Sequence, residues 1–126
     1  VERVFAYGTL KRGGCNHALV ADRLLGLLPG YVEGFCLYHL PEGEGRPYAY
    51  PGMVPGEGRV WGEVLFLPRE VLPLLDALED EGEEYRRERV LVHTEKGPLE
   101  AWAYVYLGDL GPALLLPEGV WPIVGS

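Results

Sequence analysis

The apolar residues of this chain recur mostly at the two-residue period of a half-buried β-strand, in short runs cut by glycine and proline. The clearest run is Val60 to Leu67. Val60, Gly62, Val64 and Phe66 fall on one face, and Trp61, Glu63, Leu65 and Leu67 on the other. Further strands are expected over Arg3 to Ala6, over Tyr31 to Leu40 with a kink at Gly34, over Glu84 to Thr94, and over Leu99 to Leu107. Glu95-Lys96-Gly97-Pro98 reads as the hairpin turn between the last two. One segment departs from this period: Leu72, Leu75 and Leu78 recur at near-helical spacing within a helix expected from Arg69 to Glu81. A second, short helix is expected from an Asn16 N-cap through about Leu25. Pro29-Gly30 reads as a turn, and the tail from Gly108 as irregular. Pro41 to Arg59, with Pro41, Pro47, Pro51, Pro55 and five glycines, reads as a long loop of the kind that is functional or mobile. The expected architecture is α+β: a small mixed or antiparallel β-barrel with short flanking helices. Residues 1–126 are expected to form a single domain, with no internal repeat or interdomain linker.

Charge and rare residues narrow the chemistry. The formal net charge is -8, and the densest cationic cluster, Arg86, Arg87 and Arg89, is interleaved with glutamates. Nucleic acid and anionic membrane are therefore not expected as partners. No apolar run is long enough to span a bilayer, and the opening Val1-Glu2-Arg3-Val4-Phe5 reads as a strand rather than a signal peptide. Two cysteines, Cys15 and Cys36, make no disulfide framework, which points to a reducing, cytoplasmic setting. Scarce Asn and Gln with Pro-rich loops fit a heat-adapted protein.

Most catalytic chemistries lack their residues. The one serine, Ser126, is the last residue. Cys15 and His17 are two apart and do not face each other on a helix, so Cys15 is expected to be buried and structural. His17, His39 and His93 are scattered without metal-ligand spacing, and no phosphate-binding or dinucleotide fingerprint follows Gly8 to Gly14. Carboxylate and tyrosine chemistry remains. Asp76 and Glu79 lie three apart, near one helix face, and Glu63 interrupts an apolar strand. On spacing alone, Asp76 fits a structural hydrogen-bond partner and Glu79 a solvated helix-end charge better than either fits a site. Tyr7-Gly8 equally fits a turn at a strand end with a packed aromatic.

The order of these segments resembles the γ-glutamylcyclotransferase-like family, which includes the γ-glutamylamine cyclotransferases and AIG2-like plant proteins. The resemblance is carried by Val4-Phe5-Ala6-Tyr7-Gly8-Thr9-Leu10-Lys11-Arg12-Gly13 with Asn16-His17, and by Gly34-Phe35-Cys36-Leu37-Tyr38. It continues through Tyr50-Pro51, Val60-Trp61-Gly62-Glu63-Val64 and Leu75-Asp76-Ala77-Leu78-Glu79, then Tyr85-Arg86-Arg87. Ala101 to Tyr106 and Gly119-Val120-Trp121 complete it. Two departures stand out: the acidic linker Asp80-Glu81-Gly82-Glu83-Glu84, and Val120 where the family usually has Asp.

The resemblance implies a small-molecule γ-glutamyl substrate, cyclised to 5-oxoproline with release of an amine or amino acid, and needing neither cofactor nor metal. It implies Glu79 as the proton-transferring group, with Glu63 as the runner-up and Glu81 as a near neighbour. Tyr7, Gly8, Thr9, Leu10, Tyr50, Tyr85 and Arg87 are the implied substrate-binding residues. Tyr7, Tyr85 or Trp102 would line an apolar pocket, and Tyr50 would cap it. For Tyr85 and Arg87, a cross-strand pair on the barrel exterior fits equally well. The alternative function is a non-catalytic module on the same fold that binds a small metabolite or a protein.

Overall fold

The computed structural model describes residues 1–43 and 48–121, so Pro47 and Ser126 lie outside the described residues. In chain order the elements are β1 (Glu2–Ala6), α1 (Ala18–Ala21), β2 (Gly26–Leu40) and β3 (Tyr50–Leu67). A 3-10 turn over Arg69–Val71 leads into α2 (Leu72–Leu78), followed by β4 (Tyr85–Thr94), β5 (Gly97–Tyr106) and β6 (Leu114–Leu116).

The strands close on themselves. β1 pairs antiparallel with β3, β3 with β2, β2 with β4, and β4 with β5. A parallel pairing of Val4 with Trp102 joins β5 back to β1. β6 adds to the outer half of β2. The result is a small mixed β-barrel with short flanking helices, as the expected fold class has it. One core fills the barrel, with Phe5, Tyr7, Val32, Met53, Val64 and Val92 among its residues. A second lies between the sheet and the helices, where Val4, Val20, Leu65, Val71 and Leu75 meet. Alternate residues of β1 and β3 thus feed both cores.

Three local expectations change. Pro29-Gly30 lies inside β2 and is no turn. A Cβ at Gly30 would stand 2.6 Å from the His93 carbonyl oxygen and 2.8 Å from Val92 Cγ1. Gly30 is there because β2 and β4 meet at this point to close the barrel, with Gly30 opposite Thr94. Most of the expected loop over Pro41 to Arg59 is also strand: β3 starts at Tyr50 and runs as an 18-residue partner of β2. Pro55 stands opposite Phe35, beside the bulge between Glu33 and Phe35, a position in a sheet that tolerates proline. Gly34, with φ 86°, makes the expected kink. The irregular tail likewise contains the short strand β6.

The helices are shorter than their periodicity implies. α1 covers four residues, with His17 rather than Asn16 at its N-cap and no side-chain cap bond. Asn16 is engaged elsewhere: its Nδ2 donates to Thr9 Oγ1 at 2.9 Å. α2 ends at Leu78 with Glu79 as its C-cap, and Asp80 follows at φ 51°. Cys15 is exposed, not buried, because it lies in the turns that precede α1.

Candidate active site

The Tyr7 to Leu10 loop leaves the end of β1 and crosses the mouth formed by the start of β3, the end of α2 and the start of β4. A cavity of about 60 Å³ lies there. Tyr7, Gly8, Thr9, Leu10, Tyr50, Glu79 and Tyr85 all line it. These residues come from four separate stretches of chain, and the barrel brings them together.

The loop is held by its own backbone and by Asn16. Lys11 N–H donates to the Gly8 carbonyl at 3.0 Å, and Asn16 N–H to the Thr9 carbonyl at 2.9 Å. Among the described residues, Gly8 and Thr9 are thus held through their carbonyls, and Thr9 also through its hydroxyl, which accepts from Asn16 Nδ2. Gly8 is required for packing: a Cβ there would collide with the Pro51 ring. Leu10 is buried in the outer core, which anchors the far end of the loop.

The tyrosines are fixed. Tyr7 hydroxyl donates to the Tyr104 carbonyl at 2.6 Å and accepts from Met53 N–H at 3.3 Å. Tyr85 hydroxyl donates to the Pro51 carbonyl at 2.7 Å. Burial, then the Glu79 charge, pushes the Tyr7 phenol well above its usual range. Burial does the same to Tyr85, with the carboxylates of Glu79 and Glu84 adding to it. Both are therefore neutral, rigid walls at ordinary pH. Tyr50 hydroxyl donates to Glu84 Oε2 at 2.6 Å.

Glu79 differs from the other carboxylates around it. No hydrogen-bond donor or cation among the described residues engages its side chain. Burial, and then the neighbouring Glu84 charge, raises its pKa to about 7. Asp76, one turn away, is compensated: it accepts from Tyr104 hydroxyl at 2.7 Å and pairs with Arg87 at 3.4 Å. Asp76 is thus the structural partner that its spacing allows.

Arg87, Glu63 and Trp102 are not in the pocket lining. Arg87 is spent on Asp76 and on the Trp102 ring, 4.7 Å from its guanidinium carbon. Trp102 is a platform for Arg87 and Arg89, and its Nε1–H donates to Glu2. Glu63 accepts from Arg12 N–H at 2.7 Å and pairs with the Arg12 guanidinium. Glu81 accepts from Arg87 N–H at 3.2 Å. Neither runner-up carboxylate is free in the way Glu79 is. Asn16, Glu84 and Tyr104 line the pocket without having been singled out for it. Asn16 carried a signal, its place shortly after the Tyr7-Gly8-Thr9-Leu10 run; Glu84 and Tyr104 carried none. Among the described residues, no group of three or more His, Cys, Asp or Glu is placed to hold a metal ion. No helix among them is long and apolar enough to cross a membrane.

The fold is thus a small mixed β-barrel, with Glu79 in a cavity lined by the glycine-containing Tyr7 to Leu10 loop. The family model described as gamma-glutamyl cyclotransferase, AIG2-like, matches residues 4–122, and the chain belongs to that family. It is 37% identical over 120 residues to the gamma-glutamylcyclotransferase family protein YtfP of Escherichia coli K12, covering 94% of this chain and 95% of that protein. It is 35% identical over 106 residues to gamma-glutamylaminecyclotransferase of Bos taurus, covering 80% of this chain and 63% of that protein. The crystal structure of a mouse AIG2-like protein is similar with a TM-score of 0.79 at 26% identity, covering 98% of this chain and 90% of that one.

Proposed function

We propose that this chain is a cofactor-independent γ-glutamyl cyclotransferase, acting on a γ-glutamyl amino acid or amine. The observation that carries the reading is Glu79, a desolvated carboxylate with no donor of its own among the described residues, in a pocket walled by fixed tyrosines. Its pKa of about 7 suits a group that must accept a proton and return it near neutral pH.

In this mechanism Glu79 takes a proton from the substrate α-ammonium. The freed nitrogen attacks the γ-carbonyl carbon of the same glutamyl group, closing a five-membered ring. The carbonyl electrons move onto oxygen. When the tetrahedral species collapses, the bond to the leaving nitrogen breaks and that nitrogen takes the proton from Glu79; the ring nitrogen, which still carries one proton too many, passes it through the re-ionised Glu79 to the departing amine. The products are 5-oxoproline and a free amine. Ring closure is intramolecular, so holding the glutamyl chain curled supplies an effective molarity on the order of 10⁵ M or more. Gly8, Thr9 and Leu10 offer backbone N–H groups to the α-carboxylate or the developing oxyanion. Tyr7, Tyr50 and Tyr85 exclude water. Arg87 acts at a remove, fixing Asp76 and through it Tyr104.

The reading takes residues 1–126 as one domain, supported by a single closed sheet and by the family match across 4–122. A cytoplasmic setting is part of it, supported by the free thiols Cys15 and Cys36.

The test is a panel of γ-glutamyl amino acids and amines, with 5-oxoproline quantified by mass spectrometry. Wild type should form product, and Glu79→Gln should lose roughly 10²–10⁴-fold in rate. Equal activity of the two would remove Glu79 from its role. No product from any panel member, with the protein folded, would turn the reading to a binding module.

A further inference from the structure

Glu84 lines the same cavity as Glu79, and no cation among the described residues lines it with them. Glu84 is fixed from three directions. Tyr50 hydroxyl donates to its carboxylate at 2.6 Å. Its N–H donates to the Asp80 carbonyl at 3.0 Å, and its carbonyl accepts from Leu107 N–H at 2.8 Å. Tyr50 meets Tyr48 edge-on at 5.7 Å between ring centres, and Tyr48, 45% exposed, marks the mouth. A cavity of about 60 Å³ takes a compact headgroup and leaves the rest of a larger substrate at that mouth. The glutamyl group belongs against the Tyr7 to Leu10 loop, beside Glu79. The leaving group therefore meets Tyr48, Tyr50 and Glu84.

Resting on the cyclotransferase reading of this pocket, we propose that Glu84 selects the leaving group by its charge. Leaving amines that carry a second, positive charge are taken, and those that carry a carboxylate are turned away. The physical ground is a pair of like charges in a partly desolvated pocket. A cation beside Glu84 relieves that pair, and an anion makes it a cluster of three. Close charges count for much more at such a site than in bulk water. Glu84 is suited to the task because Tyr50 orients its carboxylate without neutralising it. Asp80 and Glu83, its exposed neighbours, do not line the cavity.

Three substrates of matched length test this: the γ-glutamyl amides of putrescine, butylamine and γ-aminobutyrate, with cationic, neutral and anionic leaving groups. In wild type, kcat/KM should favour the putrescine compound over the γ-aminobutyrate compound by at least about tenfold, with butylamine between. Glu84→Gln keeps an acceptor for Tyr50 and should shrink that ratio to about threefold or less. Glu84→Lys should invert it. Glu83→Gln should leave it in place, because a general surface field would respond to either glutamate. Equal use of the three substrates by wild type overturns the proposal. So does an unchanged ratio in both Glu84 variants, with folding checked by circular dichroism. If wild type makes no 5-oxoproline, the cyclotransferase reading falls by itself. Calorimetric binding of the same compounds to Glu79→Gln then decides the selection. A preference for the cationic compound that Glu84→Gln removes upholds it, and the lack of that preference, or of any binding, overturns it.

Discussion

A carboxyl group that titrates near neutrality leaves two independent marks at the residue scale. The first is kinetic. In the proposed role Glu79 must be ionised to accept a proton, so kcat/KM should rise with pH and level off above the Glu79 pKa of about 7. A pH–rate profile checks this, and a rate that stays flat down to about pH 5 would put the proton transfer elsewhere. The second mark needs no activity. The pKa is raised from 4.5 to about 7 in the folded chain, so between those values the folded state holds a proton that the unfolded state has lost. The charge is tolerated less well in the folded state, and Glu79 withdraws stability as pH rises through that window. Glu79→Gln should match wild type near pH 4 and be more stable near pH 8, by about 3 kcal/mol at most. Denaturant melts at the two pH values measure it. The sequence could not separate Glu79 from Asp76, because spacing puts both near one helix face. What separates them is partners from β4 and β5: Arg87 and Tyr104 compensate Asp76 and leave Glu79 alone. Only the family resemblance could single out Glu79 beforehand.

At the scale of elements, the strands with clean alternation were legible and those rich in proline and glycine were not. Val60 to Leu67 showed its two faces, yet it is only the latter half of β3. Its first half, with Pro51 and Pro55, has the composition of a loop but the pairing of a strand, because β2 supplies an extended partner throughout. Glycines here mark close approach more often than turns. Gly8 is the case that bears on the proposed site, since it lets the Tyr7 to Leu10 loop pack on the Pro51 ring. Gly8→Ala should push that loop away from β3. The overpacking should cost about 1–3 kcal/mol in stability. Turnover should fall about tenfold or more, since small displacements of positioning groups carry penalties of that size. Thermal melts and steady-state kinetics on one preparation would separate the two effects. A stability loss without a rate loss would make Gly8 a packing residue alone.

Across the whole molecule, barrel closure was foreseen as a class, but the pairs that close it were not. Val4 with Trp102 and Gly30 with Thr94 are long-range pairings that no local period encodes. The composition makes a separate prediction at this scale. A chain with a single Asn and no Gln, and with prolines built into its strands, should unfold above the roughly 45–65 °C usual for mesophile domains. Scanning calorimetry settles it, and a midpoint inside that range would sink the heat-adapted reading.

The bond from Tyr7 hydroxyl to the Tyr104 carbonyl spans 97 positions of the chain. A ribosome adding about 5–20 residues each second would take roughly 5–20 s to pass from one to the other. Throughout that interval Tyr7 and the loop behind it exist without the wall they lean on. The pocket is thus incomplete until β5 has been made, and on the proposed function no N-terminal fragment ending before β5 should hold a γ-glutamyl compound.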